Sequence, residues 1–284
     1  MTLHAPGSIV TQVATPPRHQ RAEGRVELVV ERQSTRDYAK RAFQSGCGKV
    51  RMPRVHAGFG LEATLLNTSG GLTGGDQFFQ SVSVKPGAAA TLSTQAYEKI
   101  YRSSGGVARI ETTLSVEAGA ALHWLPQPTL VYEGGAMHRS THIGLASGSE
   151  FLAVEGLILG RAAMGEALET GSLRDDWSIR VDGTLVFADF FRLEEPISVA
   201  LAKSATFNGG SAVATLIVAG ADLAERLQQL RKVIDNTGIT AGASLIDQLI
   251  VVRLLANSGR SLSSALADLI AAIRKEPLPR VWSI

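Results

Sequence analysis

The 284-residue chain contains a single cysteine, Cys47, so no disulfide framework can close within it and a zinc site built from several thiolates is excluded. It has almost no charge excess: 28 Lys and Arg stand against 26 Asp and Glu. That balance provides no field to hold a nucleic-acid backbone, and nucleic acid is not expected as a partner. Long apolar runs are missing too. The stretch Leu249 to Ala256 is interrupted by Arg253, well short of the roughly 20 residues that span a bilayer. The N-terminus has no basic stretch followed by an apolar run and a small-residue cleavage site, so a cytoplasmic protein without a membrane partner is expected. Neither G-x-G-x-x-G opening a helix, nor G-K-[ST], nor a G-x-S-x-G elbow occurs, which removes the usual sequence grounds for nucleotide binding or serine catalysis.

What is present is apolar material and alternation. Hydrophobic residues make up 45% of the chain, enough for a substantial core. Residues 1–22 are proline-bearing and aperiodic and read as a poorly ordered leader. From residue 23 onward a single β-rich domain is expected. The segment GRVELVVER alternates as a half-buried strand, and the same grammar recurs in QSVSVKPGAAATLST, ARIETTLSVEAGAALHWL and THIGLASGSEFLAVEGLILG. Glycine turns at this spacing predict stacked antiparallel sheets. The near-identical turns in VKPGAAATL and VEAGAALHWL leave a β-helix-like repeat and a sandwich-like arrangement both open. Towards the end the period changes to helical, over about 221–236 and about 261–275, with Ser261 as an N-cap and Pro277 as a stop. LPRVWSI is too apolar for a free tail and should pack on the body or on a partner.

Several residues invite chemistry. Gly70, Gly71, Gly74 and Gly75 ahead of Asp76 permit a wide turn whose amides could cradle an anion, or whose Asp76 simply bonds local amides. Glu155 and Glu166 flank Arg161, a pattern that would suit a glycosidase, but the three tryptophans are too scattered for a sugar cleft, so Arg161 pairing with one of the two acids is the plainer reading. His138 and His142 are candidate nickel ligands, lacking a third donor.

The blocks LLNTSGGLTGGDQF (Leu65–Phe78) and STQAYEKIYRSSGG (Ser93–Gly106), followed in order by LHWLPQPTLVYEGG, EGLILGRAAMGE, DGTLVFADFFRLE and PRVW, resemble the UreD family of urease accessory proteins. The resemblance runs from about Gly24 to Trp282. It departs at Gln44–Gly48, at Pro128 and at the C-terminus. It implies a non-catalytic chaperone of urease maturation that acts in a metallochaperone complex with UreF and the GTPase UreG, docks on apo-urease, and passes Ni²⁺ in transit without a tightly bound cofactor. On that reading Asp76, Thr94, Gln95, Glu155, Glu166 and Asp189, the polar side chains of these motifs, are expected to line a wet internal path. Leu278, Arg280 and Trp282 are expected at a partner contact. The competing reading is a stand-alone β-rich module that binds carbohydrate or an anion.

Overall fold

A computed structural model describes residues 20–53, 59–161, 166 and 168–282; most of the leader expected over 1–22 therefore lies outside the described residues. The first half contains β1 (Glu23–Gln33), β2 (Arg36–Gly46), β3 (Gly48–Arg51), β4 (Leu61–Asn67), β5 (Gln77–Val84), β6 (Ala89–Thr94), β7 (Glu98–Ile100), β8 (Ala108–Val116), β9 (Ala121–Leu125), β10 (Thr129–Val131) and β11 (Ala136–Leu145). The second half contains β12 (Glu150–Leu159), β13 (Ser172–Val181), β14 (Thr184–Glu194), α1 (Ile197–Ala202), β15 (Ala212–Ala219), α2 (Leu223–Ile234), β16 (Thr240–Ile246), β17 (Leu249–Ala256) and α3 (Gly259–Ile273). Among the described residues no helix is long and apolar enough to cross a membrane.

The strands form two facing sheets, seven-stranded in the order β14-β13-β11-β8-β5-β1-β2 and ten-stranded along the path β16-β17-β15-β12-β9-β6-β4-β3. The mainly β, stacked-sheet expectation holds, and of the two arrangements left open the β-helix-like one describes the middle of the molecule. There the pairing is parallel rather than antiparallel: β1, β5, β8, β11 and β13 run together in one sheet, and β4, β6, β9 and β12 in the other. The reason lies in the glycine turns. In each, the fourth residue donates back to the first, Ala88 to Lys85, Ala120 to Glu117 and Ser149 to Ala146, and the third is a left-handed glycine, with φ of 71° at Gly87, 66° at Gly119 and 76° at Gly148. Positive φ at the third residue alone makes these type II turns rather than the primed turns of two-residue hairpins, and they carry the chain across from one sheet to the other, so the next strand joins the neighbour of the last. The turns also stack, Lys85 Nζ meeting Glu117 at 2.6 Å. Antiparallel hairpins bound the stack: β1 with β2, β3 with β4, β13 with β14, and the β12-β15-β17-β16 meander.

Both C-terminal helices lie on the outer side of the ten-stranded sheet, where Leu227, Leu230, Leu262, Leu266 and Leu269 share a core with the even-numbered residues of β12 and β15. Strand β12 is therefore buried on both faces and reads as a nearly continuous apolar run, as parallel sheets require. Helix α3 begins two residues before the expected Ser261 cap. Ser258 caps it, accepting the Ser261 N–H through Oγ at 3.1 Å. Helix α1, too short to show a period, was not foreseen. The tail packs on the chain's own body: Trp282 is buried and its Nε1 donates to the Leu125 carbonyl at 2.9 Å.

Candidate functional site

Between the sheets the core is split in two. One apolar cluster holds Ile143, Ala153, Trp177, Ile217 and Val251; the other holds Met137, Leu157, Leu173, Leu193 and Phe191. Each of these strands carries a polar residue where it passes from one cluster to the other. Strand register fixes the rows. Gln80, Thr112 and Thr141 are lateral neighbours in the seven-stranded sheet, as are Arg139 and Asp175 one step along, and in the facing sheet Glu155, Thr215, Arg253 and Gly242 are neighbours. Asp189 of β14 lies opposite Trp177 and projects into the same layer. The result is a transverse polar belt through an otherwise apolar interior.

At the belt's wide end is a cavity of about 480 Å³ lined by Glu155, Asp175, Asp189, Thr206, Thr215 and Arg253 among others. Arg139 forms a two-point pair with Asp175, Nε to Oδ1 at 2.9 Å and Nη2 to Oδ2 at 2.6 Å, and Nη1 donates to Thr129 Oγ1 at 3.1 Å. The same Nη1 lies 2.6 Å from Glu155 Oε2, but off the N–H direction, so that oxygen has no aligned hydrogen bond among the described residues. Glu155 Oε1 accepts from Trp124 Nε1 at 3.3 Å and Thr141 Oγ1 at 3.4 Å. One guanidinium thus serves two carboxylates. Burial outweighs the pull of Arg139, and the Asp175 charge adds to it, holding the Glu155 carboxyl up at about 6. Nearer the mouth, Arg253 Nη1 bridges Asp189 at 2.7 Å and Thr215 Oγ1 at 2.8 Å. Side-chain exposure falls from 49% at Arg253 and 24% at Asp189 to 4% at Glu155, which places the mouth at β14 and β17 and the base at β12. A wider cleft of about 730 Å³ between α3 and the tail has no carboxylate in its lining.

Of the residues nominated from sequence, the structure therefore brings together Glu155 and Asp189. It adds Asp175, Arg139, Thr215 and Arg253, which the motifs did not single out. Their signal was phase for Arg139 and Asp175, which stand in MHRSTHIGL and LRDDWSIRV where the alternation calls for an apolar residue, and for Arg253 the interruption of the apolar run LIVVRLLA.

The other nominees lie elsewhere. Asp76 closes its own loop, accepting Ala22 N and Thr73 N, each at 2.8 Å. This is the local-turn reading, and it occupies amides of the glycine block with a protein carboxylate. Thr94 Oγ1 ties the turn at Ala96 and Gln127, and Gln95 is exposed. Glu166 pairs with Arg161 and accepts Glu133 N at 2.9 Å, so Glu155 and Glu166 share no cleft and no glycosidase pair exists. His138 bonds Asp176 at 3.1 Å and His142 bonds Ser178 at 2.9 Å, both on the outer side of the seven-stranded sheet. Four residues apart on a strand puts them roughly 13 Å from one another, too far to share an ion. Among the described residues no group of three or more His, Cys, Asp or Glu is placed to hold a metal. Leu278 packs beside Trp282 against the helix-covered core, and only Arg280 of the three tail nominees is exposed.

Comparison with known proteins agrees with the motif order. The family described as UreD urease accessory protein matches residues 22–283. Proteins named urease accessory protein UreD are similar along almost their full length: 40% identity over 97% of this chain and 100% of the protein from Rhizobium johnstonii, 41% over 95% and 97% for Chelativorans sp., and 40% over 93% and 91% for Xanthobacter autotrophicus.

Proposed function

Because this chain belongs to the UreD family of urease accessory proteins, we propose that its polar belt is a passage through which Ni²⁺ travels towards apo-urease, within a cytoplasmic complex that also contains UreF and the GTPase UreG. The observation that supports this reading is the cavity with three carboxylates, joined to a polar row of Arg139, Thr141, Thr112 and Gln80 that runs into the interior. A doubly charged ion crossing a protein needs oxygen groups to offset partial dehydration, each weak enough to let it go. The belt has that character. Glu155, Asp175 and Asp189 attract a cation, while Arg139 and Arg253 compete for the same oxygens, leaving one net negative charge if all five are ionised. The Glu155 Oε2 at the base, paired with Arg139 Nη1 at 2.6 Å, is the acceptor that an arriving ion would share with the guanidinium. On this reading the protein is a scaffold and conduit and catalyses nothing.

The test is urease activation in cells expressing the full accessory set with Asp189→Asn or Glu155→Gln, together with nickel content of the purified urease and co-purification of the complex. We expect assembly to be retained and nickel loading to fall several-fold. Full loading by both variants would overturn the passage. For UreF docking, the faces beside α3 and the exposed Arg280 are the proposed contact. Arg280→Ala is a cleaner probe than deleting the tail, because deletion also removes the packing of Trp282; unchanged UreF capture by Arg280→Ala would move the contact elsewhere.

A further inference from the structure

Among the described residues two arginines are deeply buried, and they differ sharply in their partners. Arg139 has two carboxylates in contact. Arg274, only 7% exposed, has no Asp or Glu carboxylate within 4.0 Å among the described residues. Its side chain turns back from the end of α3 onto the outer side of the ten-stranded sheet. There Nη1 donates to Thr91 Oγ1 at 3.0 Å and His123 Nδ1 at 2.8 Å, and Nη2 to the Pro277 carbonyl at 3.2 Å, while Nε has no partner among the described residues. All three acceptors are neutral. His123 in particular supplies no charge: burial, with Arg274 and Arg226 behind it, pushes its pKa down to about 3, and because Nδ1 accepts from Arg274 its one proton is on Nε2, a further donor. The last carbonyls of α3 offset part of the Arg274 charge. Glu62 and Glu276 act on it only at longer range. A buried guanidinium left without a counter-ion is costly, and a buried donor without an acceptor calls for a water or an ion.

Beside Arg274 is a cleft of about 260 Å³ whose lining includes His123, Phe59, Arg226 and Lys275. Phe59 stacks on His123 at 4.1 Å and walls one side. Two carboxylates also reach the lining, but Glu150 is engaged by Arg226 Nη1 at 2.7 Å and by Ala221 N at 2.9 Å, leaving Glu276 to face two cations, Arg274 and Lys275. The cleft is thus positive and part aromatic, with the Arg274 guanidinium in its lining, a group whose planar geometry suits the oxygens of an oxyanion.

We infer that this cleft, formed by the end of α3 with β9 and β12, binds a small free oxyanion of the phosphate or sulfate type, at a site separate from the polar belt between the sheets. The anion supplies the counter-charge that Arg274 lacks and joins the end of α3 to the sheet. The experiment is isothermal titration of the full-length chain with inorganic phosphate at constant ionic strength, followed by competition with sulfate, for the wild type, Lys275→Ala and Arg274→Lys. Expected is saturable one-site binding that sulfate displaces, weakened several-fold by Lys275→Ala and lost in Arg274→Lys. No saturable binding of either anion by the wild type overturns the inference. So does wild-type affinity in Lys275→Ala, which changes an exposed side chain and decides the matter even if Arg274→Lys fails to fold.

Discussion

Replacing Glu155 with Gln removes one negative charge from a buried group that holds two carboxylates against one guanidinium, and keeps an oxygen for Trp124 and Thr141. The consequence is a change in how stability depends on pH. In the folded wild type the Glu155 carboxyl titrates at about 6, against an ordinary 4.5. A pKa raised by folding means that the protonated form is the one folding favours, so the associated stability is complete below about pH 4.5 and is lost as pH rises through about 6. The interval from 4.5 to about 6 is worth about 2 kcal/mol at roughly 1.4 kcal/mol per pH unit. Glutamine does not titrate. Urea unfolding read by tryptophan fluorescence, at pH 5 and at pH 7.5, measures the effect, since Trp124, Trp177 and Trp282 are all buried. Relative to Glu155→Gln, the wild type should lose about 1 kcal/mol between the two conditions, because at pH 5 part of the ~2 kcal/mol is already gone. Parallel pH profiles for the two proteins would refute the reasoning, because they would mean that Arg139 holds both carboxylates ionised without strain.

Two further outcomes test the fold. At Gly119 (φ 66°) an added Cβ meets nothing within 4 Å, whereas at Gly46 it would be 1.9 Å from the Glu23 carbonyl. Gly119→Ala should therefore cost only left-handed backbone strain, about 1–2 kcal/mol, and Gly46→Ala distinctly more; equal thermal shifts would show the turns to be looser than described. Trp282→Ala should cost about 3–5 kcal/mol in denaturant melts of the isolated chain, since it loses both a buried ring and the bond to Leu125; a negligible cost would assign the tail to a partner instead.

Much of this architecture was readable in advance because local rules and tertiary packing agree. The alternation in GRVELVVER and the helical stripe of Leu223, Leu227 and Leu230 each face a core that wants them. Strand direction was not readable. Strand alternation is the same in either direction; the local cue is Pro86-Gly87, which makes a type II turn where a two-residue hairpin prefers a primed one, and it names no partner strand. The site divides in the same way. Glu155 and Asp189, which line the cavity, and Asp76, Thr94, Gln95 and Glu166, which do not, were all nominated because they sit inside family-like motifs; Asp76, Thr94 and Glu166 hold turns and loops together, and Gln95 is exposed. Arg139 and Asp175 were visible as charges in the apolar phase of their strands, and Arg253 as the interruption of an apolar run, signals that motif reading passes over. That Arg139 and Asp175 answer one another across β11 and β13 follows from parallel register, which no spacing within either segment encodes.

The hairpins that bound the stack of parallel strands have a consequence for how the chain behaves as a material. A parallel stack has no natural end: each new coil presents the edge on which another coil, or another molecule, can build. Here β2, with Arg36, Lys40 and Arg41, closes one side of the seven-stranded sheet, and β14 closes the other by turning back on β13. At the far side of the ten-stranded sheet β16 bears no charge of its own, but Arg231 of α2 reaches over to the Ala243 carbonyl at 3.1 Å. The terminal segments act as stoppers that keep a polymerisable repeat one molecule long. A chain that loses the β1–β2 hairpin also loses Val26, Leu28 and Val30 from the core and bares the edge of β5, so it is both less stable and open to pairing with another chain.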